Sequence, residues 1–156
     1  MPKHQRIPSK QRKWRRHPPQ RQLAVAFARN ARGFLAMAWI DEDRVGAQSA
    51  YHSAIAIELG LKAYLLHRGF SDDWTRVWLR HDVSKALRCV RMLGFQGVPN
   101  GIAELAAALS PLYGSGALRS GVKPDLPLPP DVADQAIRDL LSAVEAAIEI
   151  DSGTDR

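Results

Sequence analysis

A histidine and two arginines lie close together near the middle of the chain: Arg76, Arg80 and His81. A guanidinium group can neutralise the charge that develops on a phosphate, and an imidazole can transfer protons near neutral pH. The three residues are therefore candidate catalytic residues for phosphodiester cleavage. Arg76 and His81 would lie about 140° apart on a continuous α-helix. They can converge only if a helix starts between them, which Asp82 as an N-cap would allow. The alternative is a purely structural histidine before a capping aspartate.

A second polar pair, Glu58 and Lys62, stands four residues apart within an apolar helical pattern. A charged group on a core-facing stripe is costly unless it is paired and hydrogen-bonded. One interpretation is an i,i+4 ion pair at the rim of the core. The other is that Glu58 orients a further polar group, such as an arginine or histidine from residues 76–81. Under the second interpretation Glu58 and Lys62 form a polar pair that supports a site.

The N-terminal segment carries the whole excess of positive charge. Residues 1–21 hold eight Lys and Arg and no acidic residue, whereas the other 135 residues hold 14 basic and 16 acidic groups. With four prolines and few apolar residues, residues 1–20 are expected to be disordered when free. Six residues of this basic tail have the composition of a nucleic-acid-binding arm, with cations around one aromatic side chain: Lys10, Arg12, Lys13, Trp14, Arg15 and Arg16. A solubilising extension is the alternative.

Composition narrows the class of protein. No apolar run approaches the roughly 20 residues of a transmembrane helix, and no secretory signal follows the basic N-terminus, so we expect a cytoplasmic protein that does not bind membranes.

The single cysteine, Cys89, excludes an internal disulfide and is more typical of a small buried residue than of a reactive thiol. His52 and His67 are 15 residues apart, too far to form a metal pair, and no phosphate loop, HExxH or GxSxG motif occurs. We expect neither metal nor cofactor.

Apolar residues recur at three- and four-residue steps, and this periodicity predicts five helices. Their approximate bounds, with a linker at 70–81 and a loop at 113–130, are 21–41, 45–67, 82–93, 100 to a break or bend at Pro111, and 131–150. Asp82 and Asn100 are expected N-caps, and Gly69 and Gly94 are expected C-terminal stops. Since no segment alternates with a period of two, residues 21–150 are predicted to form an all-α, up-and-down bundle of four to five helices.

The predicted helix over residues 45–67 has small side chains opposite its large apolar face. The small residues are Ser49, Ser53, Ala56, Gly60 and Ala63. A helix with this pattern is expected to be packed between neighbours, one of them at close range. Gly60 in mid-helix costs about 1 kcal/mol relative to alanine, which such close packing could offset.

Residues Ala54 to Leu66, Gly69 and the run His81-Asp82-Val83 together resemble the HEPN superfamily. Its members often show an E-L-x-L-K-A-x-L helix, then a glycine and an H-D-hydrophobic helix start. The resemblance covers roughly residues 21–149 in helix order and is sharpest over 50–93. It implies a bundle of four or five helices that commonly dimerises.

The resemblance also implies a function. Many HEPN proteins are metal-independent ribonucleases that use an Arg-(x)4–6-His motif at a dimer interface and the RNA 2′-hydroxyl as nucleophile, and Arg76 to His81 fits this spacing. Active members usually place a polar residue after the arginine, where this chain has Val77. Other HEPN domains bind RNA or a partner protein, often a small nucleotidyltransferase. We therefore expect a non-catalytic, homodimeric HEPN-like module that binds RNA or a partner. The alternative is an endoribonuclease of toxin or defence type that uses Arg76 and His81, with Arg80 nearby.

Overall fold

The computed structural model describes residues 18–38 and 46–153, the last four of them by their backbone alone. These parts of the chain are helical and contain no β-strand, so the all-α prediction is confirmed for them. The helices are α1 (Arg21–Ala38), α2 (Ala47–His67), α3 (Asp72–Trp74), α4 (Val83–Met92), α5 (Ile102–Gly114) and α6 (Pro130–Gly153). Among the described residues, no helix combines the length and the apolar character needed to cross a membrane.

Sequence periodicity placed most of these helices correctly. The predicted helices over 45–67, 82–93 and 131–150 match α2, α4 and α6 to within three residues. α1 begins directly after Pro18-Pro19 and Gln20, as expected. Residues 1–17 of the basic tail, for which disorder is predicted, and the predicted end of the first helix near residue 41 lie outside the described residues.

The central element of the fold is α2, which packs against α1, α4, α5 and α6. From Ser53 to His67 nearly every residue is buried, because apolar and small side chains cover both faces of this helix. At Gly60 the neighbouring helix α6 approaches closely. A methyl group added there would lie 2.5 Å from Cδ2 of Leu141. The expected close packing against the small face of α2 is confirmed.

Glycines end α2 and α4 by the same mechanism. Gly69 adopts a left-handed φ of 92°, and its N–H donates to the carbonyl of Leu66 at 3.1 Å. The N–H of Phe70 donates to the carbonyl of Leu65 at 3.0 Å, which completes a Schellman motif. Gly94, with a φ of 89°, closes α4 through the equivalent pair of bonds. Both predicted stops are confirmed.

The predicted N-caps had different outcomes. Asp82 caps α4, since its side chain accepts a hydrogen bond from the N–H of Lys85 at 2.9 Å. Asn100 was the wrong residue for α5, which begins after Gly101 in a left-handed conformation with a φ of 92° and no side-chain cap. Gly101 fits there because a φ of 92° strains any residue that carries a Cβ, and a Cβ would also lie 2.6 Å from the side chain of Leu128. The backbone conformation at residue 101 therefore favours glycine at this helix start.

Two further predictions about local structure need correction. Of the break or bend predicted at Pro111, the break does not occur, because α5 continues through this residue to Gly114. Pro111 is exposed, whereas its neighbours Ser110 and Tyr113 are buried and anchor the last turn to the core. The predicted linker at 70–81 contains α3 and a π-helical turn over Thr75–Leu79. Ser71 caps α3 by accepting from the N–H of Trp74.

Candidate functional site

The carboxylate of Glu58 lies in the middle of α2 and is only 5% exposed. Lys62, one turn later, donates from Nζ to Glu58 Oε1 at 2.5 Å. The hydroxyl of Tyr113 on α5 donates to Glu58 Oε2. Burial and the nearby Glu58 charge raise the pKa of Tyr113. The tyrosine hydroxyl therefore keeps its proton and remains a donor to the carboxylate.

The third partner of Glu58 is His81, which arrives from the segment before α4. Its Nδ1 lies 3.3 Å from each carboxylate oxygen. The imidazole also packs against the ring of Tyr113, with 4.9 Å between ring centroids. The His81 side chain is nevertheless 60% exposed, so the buried carboxylate holds one ring nitrogen while much of the ring faces solvent. Glu58 thus forms the i,i+4 ion pair with Lys62 and also contacts His81, a residue of the segment 76–81. The ion pair lies within the core and not at its rim, where the first interpretation had it.

A tight turn over residues 79–82 brings His81 to Glu58. Arg80 has a φ of 50° and a ψ of −121°, and the N–H of Asp82 donates to the carbonyl of Leu79 at 2.8 Å. The angles of Arg80 match the first central position of a type II′ turn, which normally holds glycine. An arginine there is strained by about 1–3 kcal/mol. The turn is held by Lys62, which donates to the Arg80 carbonyl at 3.1 Å.

Beside this turn an open groove of about 980 Å³ runs between α4 and α5. We call it the α4–α5 groove. Its basic lining residues are Arg80, His81, Lys85 and Arg88. The lining from α5 is small and uncharged: Ala107, Ser110, Pro111 and Gly114. Asp82 is the one carboxylate among the described residues that line the groove, and its Oδ1 accepts from the N–H of Lys85 and the hydroxyl of Ser110.

The three predicted catalytic residues do not all lie at the same site. Arg80 and His81 line the α4–α5 groove, whereas Arg76 does not. Arg76 donates from Nη2 to Asp73 Oδ1 at 2.6 Å on an exposed surface. The helix α4 starts directly after its predicted N-cap, Asp82, so Arg76 and His81 both precede this helix. Their side chains contact different residues, Asp73 and Glu58 respectively. The predicted nucleic-acid-binding residues between 10 and 16 lie outside the described residues.

Two polar residues of this site were missed by sequence reasoning, Tyr113 and Ser110. Tyr113 falls in the predicted loop at 113–130, and Ser110 is not among the predicted site residues. A signal was present, since Tyr113 follows Leu109 by four residues and continues the apolar register of α5. Extending the helix by one turn would have placed its hydroxyl on the core-facing side.

Metal-binding residue types do not come together in the part of the chain that the structure describes: no group of three or more His, Cys, Asp or Glu is arranged to hold an ion there. Cys89 lies on α4, partly buried and packed against the core. Burial raises the pKa of its thiol. The interpretation of Cys89 as a small packing residue agrees with this environment.

Comparison of the chain with protein-family models, with curated proteins and with solved structures finds no match. A helical architecture by itself does not assign a function. The function therefore has to be argued from the site and from the distribution of charge.

Removing the charge of Glu58 is expected to destabilise the fold. Glu58→Gln leaves the buried Lys62 ammonium without a charged partner, and we expect the free energy of unfolding to fall by about 3 kcal/mol. The free energy of unfolding of the double variant Glu58→Gln/Lys62→Met should be at least about 1 kcal/mol higher than that of Glu58→Gln, because no unpaired charge remains. Urea denaturation of the wild type, both single variants and the double variant measures this coupling. Losses that simply add would contradict the mutual stabilisation of the two charges.

Relieving the strained turn is expected to stabilise the protein. Arg80→Gly should raise the free energy of unfolding by about 1 kcal/mol, because glycine adopts a positive φ without a Cβ clash. Arg91→Gly, at an exposed position within α4, is the matched control and should lower it by about 1 kcal/mol. Urea denaturation compares the two. If Arg80→Gly lost as much stability as Arg91→Gly, the turn would not be strained.

Proposed function

We propose that this chain is a HEPN-like helical module that binds RNA and does not itself catalyse a reaction. The observation that carries the proposal is the separation of charge along the sequence: eight cations and no acidic residue within residues 1–21, against 14 basic and 16 acidic groups in the other 135 residues. Such a segment neutralises phosphates and releases their counterions. Trp14, in the middle of the cations, adds a surface on which a base can stack.

The placement of Arg76 supports a non-catalytic role. Its guanidinium is engaged by Asp73 on the surface, and Val77 follows it with half of its area exposed. An arginine that neutralises a scissile phosphate has to reach the same bond as the histidine. Within one copy of the chain, Arg76 and His81 contact different groups. Binding without cleavage is therefore the favoured function.

The proposal also covers the helix arrangement, the oligomeric state and the partner. We propose an up-and-down bundle of four to five helices that forms a homodimer in the cytoplasm. A nucleotidyltransferase-type protein is the alternative partner to RNA. The packing of α2 against α1, α4, α5 and α6 supports a bundle arranged around α2. The sequence pattern shared with HEPN proteins supports the homodimer and the partner.

RNA binding is expected to depend on the basic tail. In the tail-neutral variant, five cations of the full-length chain are changed to glutamine: Lys10, Arg12, Lys13, Arg15 and Arg16. Fluorescence anisotropy with a 20-nucleotide single-stranded RNA should show weaker binding. The slope of log affinity against log salt should become shallower by about 3.5, since each of five lost phosphate contacts contributes about 0.7.

The control variant removes the same charge from the exposed surface of the folded part. It changes five other cations to glutamine: Arg29, Arg91, Arg119, Lys123 and Arg138. Its salt slope should stay near that of the wild type. His81→Ala should also leave the affinity unchanged. Equal slopes for the tail-neutral and control variants would refute a specific role of the tail.

A metal-independent endoribonuclease is the second candidate, and one arrangement favours it. His81 is held by the buried Glu58 carboxylate and faces the α4–α5 groove beside Arg80. In such a reaction the 2′-hydroxyl attacks the adjacent phosphorus and the bond to the 5′-oxygen breaks. His81 would transfer a proton at one of these oxygens, while Arg80, or Arg76 of a second copy, would neutralise the phosphate.

The two candidates differ in their RNA products. For the non-catalytic module, wild-type protein incubated with RNA in EDTA should release no more fragments than His81→Ala. Cleavage that leaves 2′,3′-cyclic phosphate ends and disappears in His81→Ala would establish the ribonuclease instead. Arg76→Gln then tests the arginine, because only a ribonuclease that uses Arg76 loses activity in this variant.

A further inference from the structure

We propose that the basic tail has a docking site on the helical part of its own chain, in a pocket between α1 and α6 that we call the α1–α6 pocket. The occupant is the segment 10–16, with the indole of Trp14 in the pocket and the neighbouring cations beside the end of α6. While docked, the segment is withheld from other partners, so the contact is autoinhibitory. Only this last consequence rests on the proposed RNA binding.

The α1–α6 pocket is small and partly apolar. Its volume of about 300 Å³ is at the lower limit of the usual range for small-molecule sites and suits one bulky side chain. Its apolar lining residues are Val25 and Ala28 from α1 and Ile148 from α6. Ala28 and Ile148 are buried, so an occupant would continue the apolar contacts between the two helices.

The charged lining residues favour an aromatic occupant. They are Arg29, Arg32, Glu145 and Glu149. Arg32 donates from Nε to Glu145 Oε1 at 2.9 Å and from Nη2 to Oε2 at 3.0 Å, which fixes the plane of its guanidinium. A guanidinium stacks well on an aromatic ring and gains nothing comparable from an aliphatic side chain. Two arginines beside apolar side chains therefore select for an aromatic group.

The tail supplies one such group within reach. Trp14 is the only Phe, Tyr or Trp in residues 1–21. Val25 lies roughly 6 Å along α1 from Arg21, since each helical residue adds 1.5 Å. The seven residues from Trp14 to Arg21 span up to about 23 Å when extended. The tail is therefore long enough to turn back along α1 and bring Trp14 to the pocket.

The direction of the helices brings the tail to the end of α6. Arg32 contacts Ser142 and Glu145, whereas earlier residues of α1 line the pocket together with Ile148 and Glu149. The two helices therefore run antiparallel, and the start of α1, where the tail joins, lies beside the last turns of α6.

The charges of the tail and of this helix end are complementary. Within the pocket lining the charges balance, and the negative excess lies beyond it: Glu149 is exposed, and the last turn of α6 has no basic residue. A helix C-terminus adds a partial negative charge. In the sequence, residues 149–156 hold three acidic groups and one basic group, whereas residues 10–16 hold five cations and no acidic group. The end of α6 therefore attracts this segment.

The path of the chain uses both features at once. With Trp14 in the pocket, the residues between it and Arg21 have to pass the end of α6. Arg15 and Arg16 belong to this stretch, so docking of the indole places their charges beside the negative helix end. A peptide without this order of one aromatic followed by cations would satisfy one feature and not the other.

Methyl NMR spectroscopy of the full-length chain, labelled at valine and isoleucine, tests the contact. Trp14→Ala should shift the methyl resonances of Val25 and Ile148, because it removes an aromatic ring from their surroundings. The resonances of Val132, half exposed at the start of α6, should not move. Ile7→Ala removes another apolar side chain of the tail, outside the docking segment, and should leave all three residues unchanged.

A charge reversal tests the electrostatic part. Glu149→Arg should release the tail, so Trp14→Ala added to this variant should cause no further shift of the pocket resonances. Asp139→Arg makes the same change at another exposed position on α6, outside the pocket lining, and should preserve the full shift. Since both positions are exposed, both variants are expected to fold, and circular dichroism checks their helicity.

The autoinhibitory consequence is measured separately by fluorescence anisotropy with the 20-nucleotide RNA. Glu149→Arg should tighten RNA binding by at least about threefold more than Asp139→Arg, because both variants gain the same charge but only one frees the tail. If the chain bound no RNA, the proposed function would fail, while the methyl resonances would still decide whether the tail docks.

Two results would overturn the docking site. One is an absence of any shift of the Val25 and Ile148 methyl resonances in Trp14→Ala. The other is an equal further shift when Trp14→Ala is added to Glu149→Arg and to Asp139→Arg, since the charge at the end of α6 would then have no part in the contact. Equal RNA affinities of these two charge variants would overturn the autoinhibition.

Discussion

The burial of one negative charge, on Glu58, is the constraint on which the rest of this structure depends. A carboxylate in the middle of a core helix needs partners for its charge and its lone pairs. Here the partners come from three parts of the chain: Lys62 on the same helix, Tyr113 on α5 and His81 on the turn before α4. The requirement to satisfy one side chain thus fixes how these parts meet.

The same network connects stability to the shape of the groove. Lys62 reaches past Glu58 to the carbonyl of Arg80, which holds the turn in a conformation that arginine disfavours. Asp82 then caps α4 and accepts a bond from Ser110 on α5. The walls of the groove are therefore positioned by bonds that start in the core. The ion pair of Glu58 with Lys62 and the contact that orients His81 both depend on the same buried carboxylate.

The sequence predicted those parts of the fold that depend on local signals. Gly69 and Gly94 end helices because a positive φ is needed at the residue itself, and Asp82 caps α4 with its own side chain. The extension of α5 through Pro111 depends instead on burial of the neighbouring turn. For the site, the pairing of Glu58 with Lys62 followed from their spacing. The contact of Tyr113 with Glu58, across 55 positions, had no local signal.

The wall that α5 contributes to the groove has a thermodynamic consequence. Alanine, proline and glycine have no side-chain rotamers to lose, and the serine in this wall, Ser110, is already bonded to Asp82. A molecule that settles against this wall therefore meets a preorganised surface and immobilises almost nothing on it. Such a surface cannot adjust to an ill-fitting molecule either. Selectivity on this side of the groove is set by the path of the helix backbone.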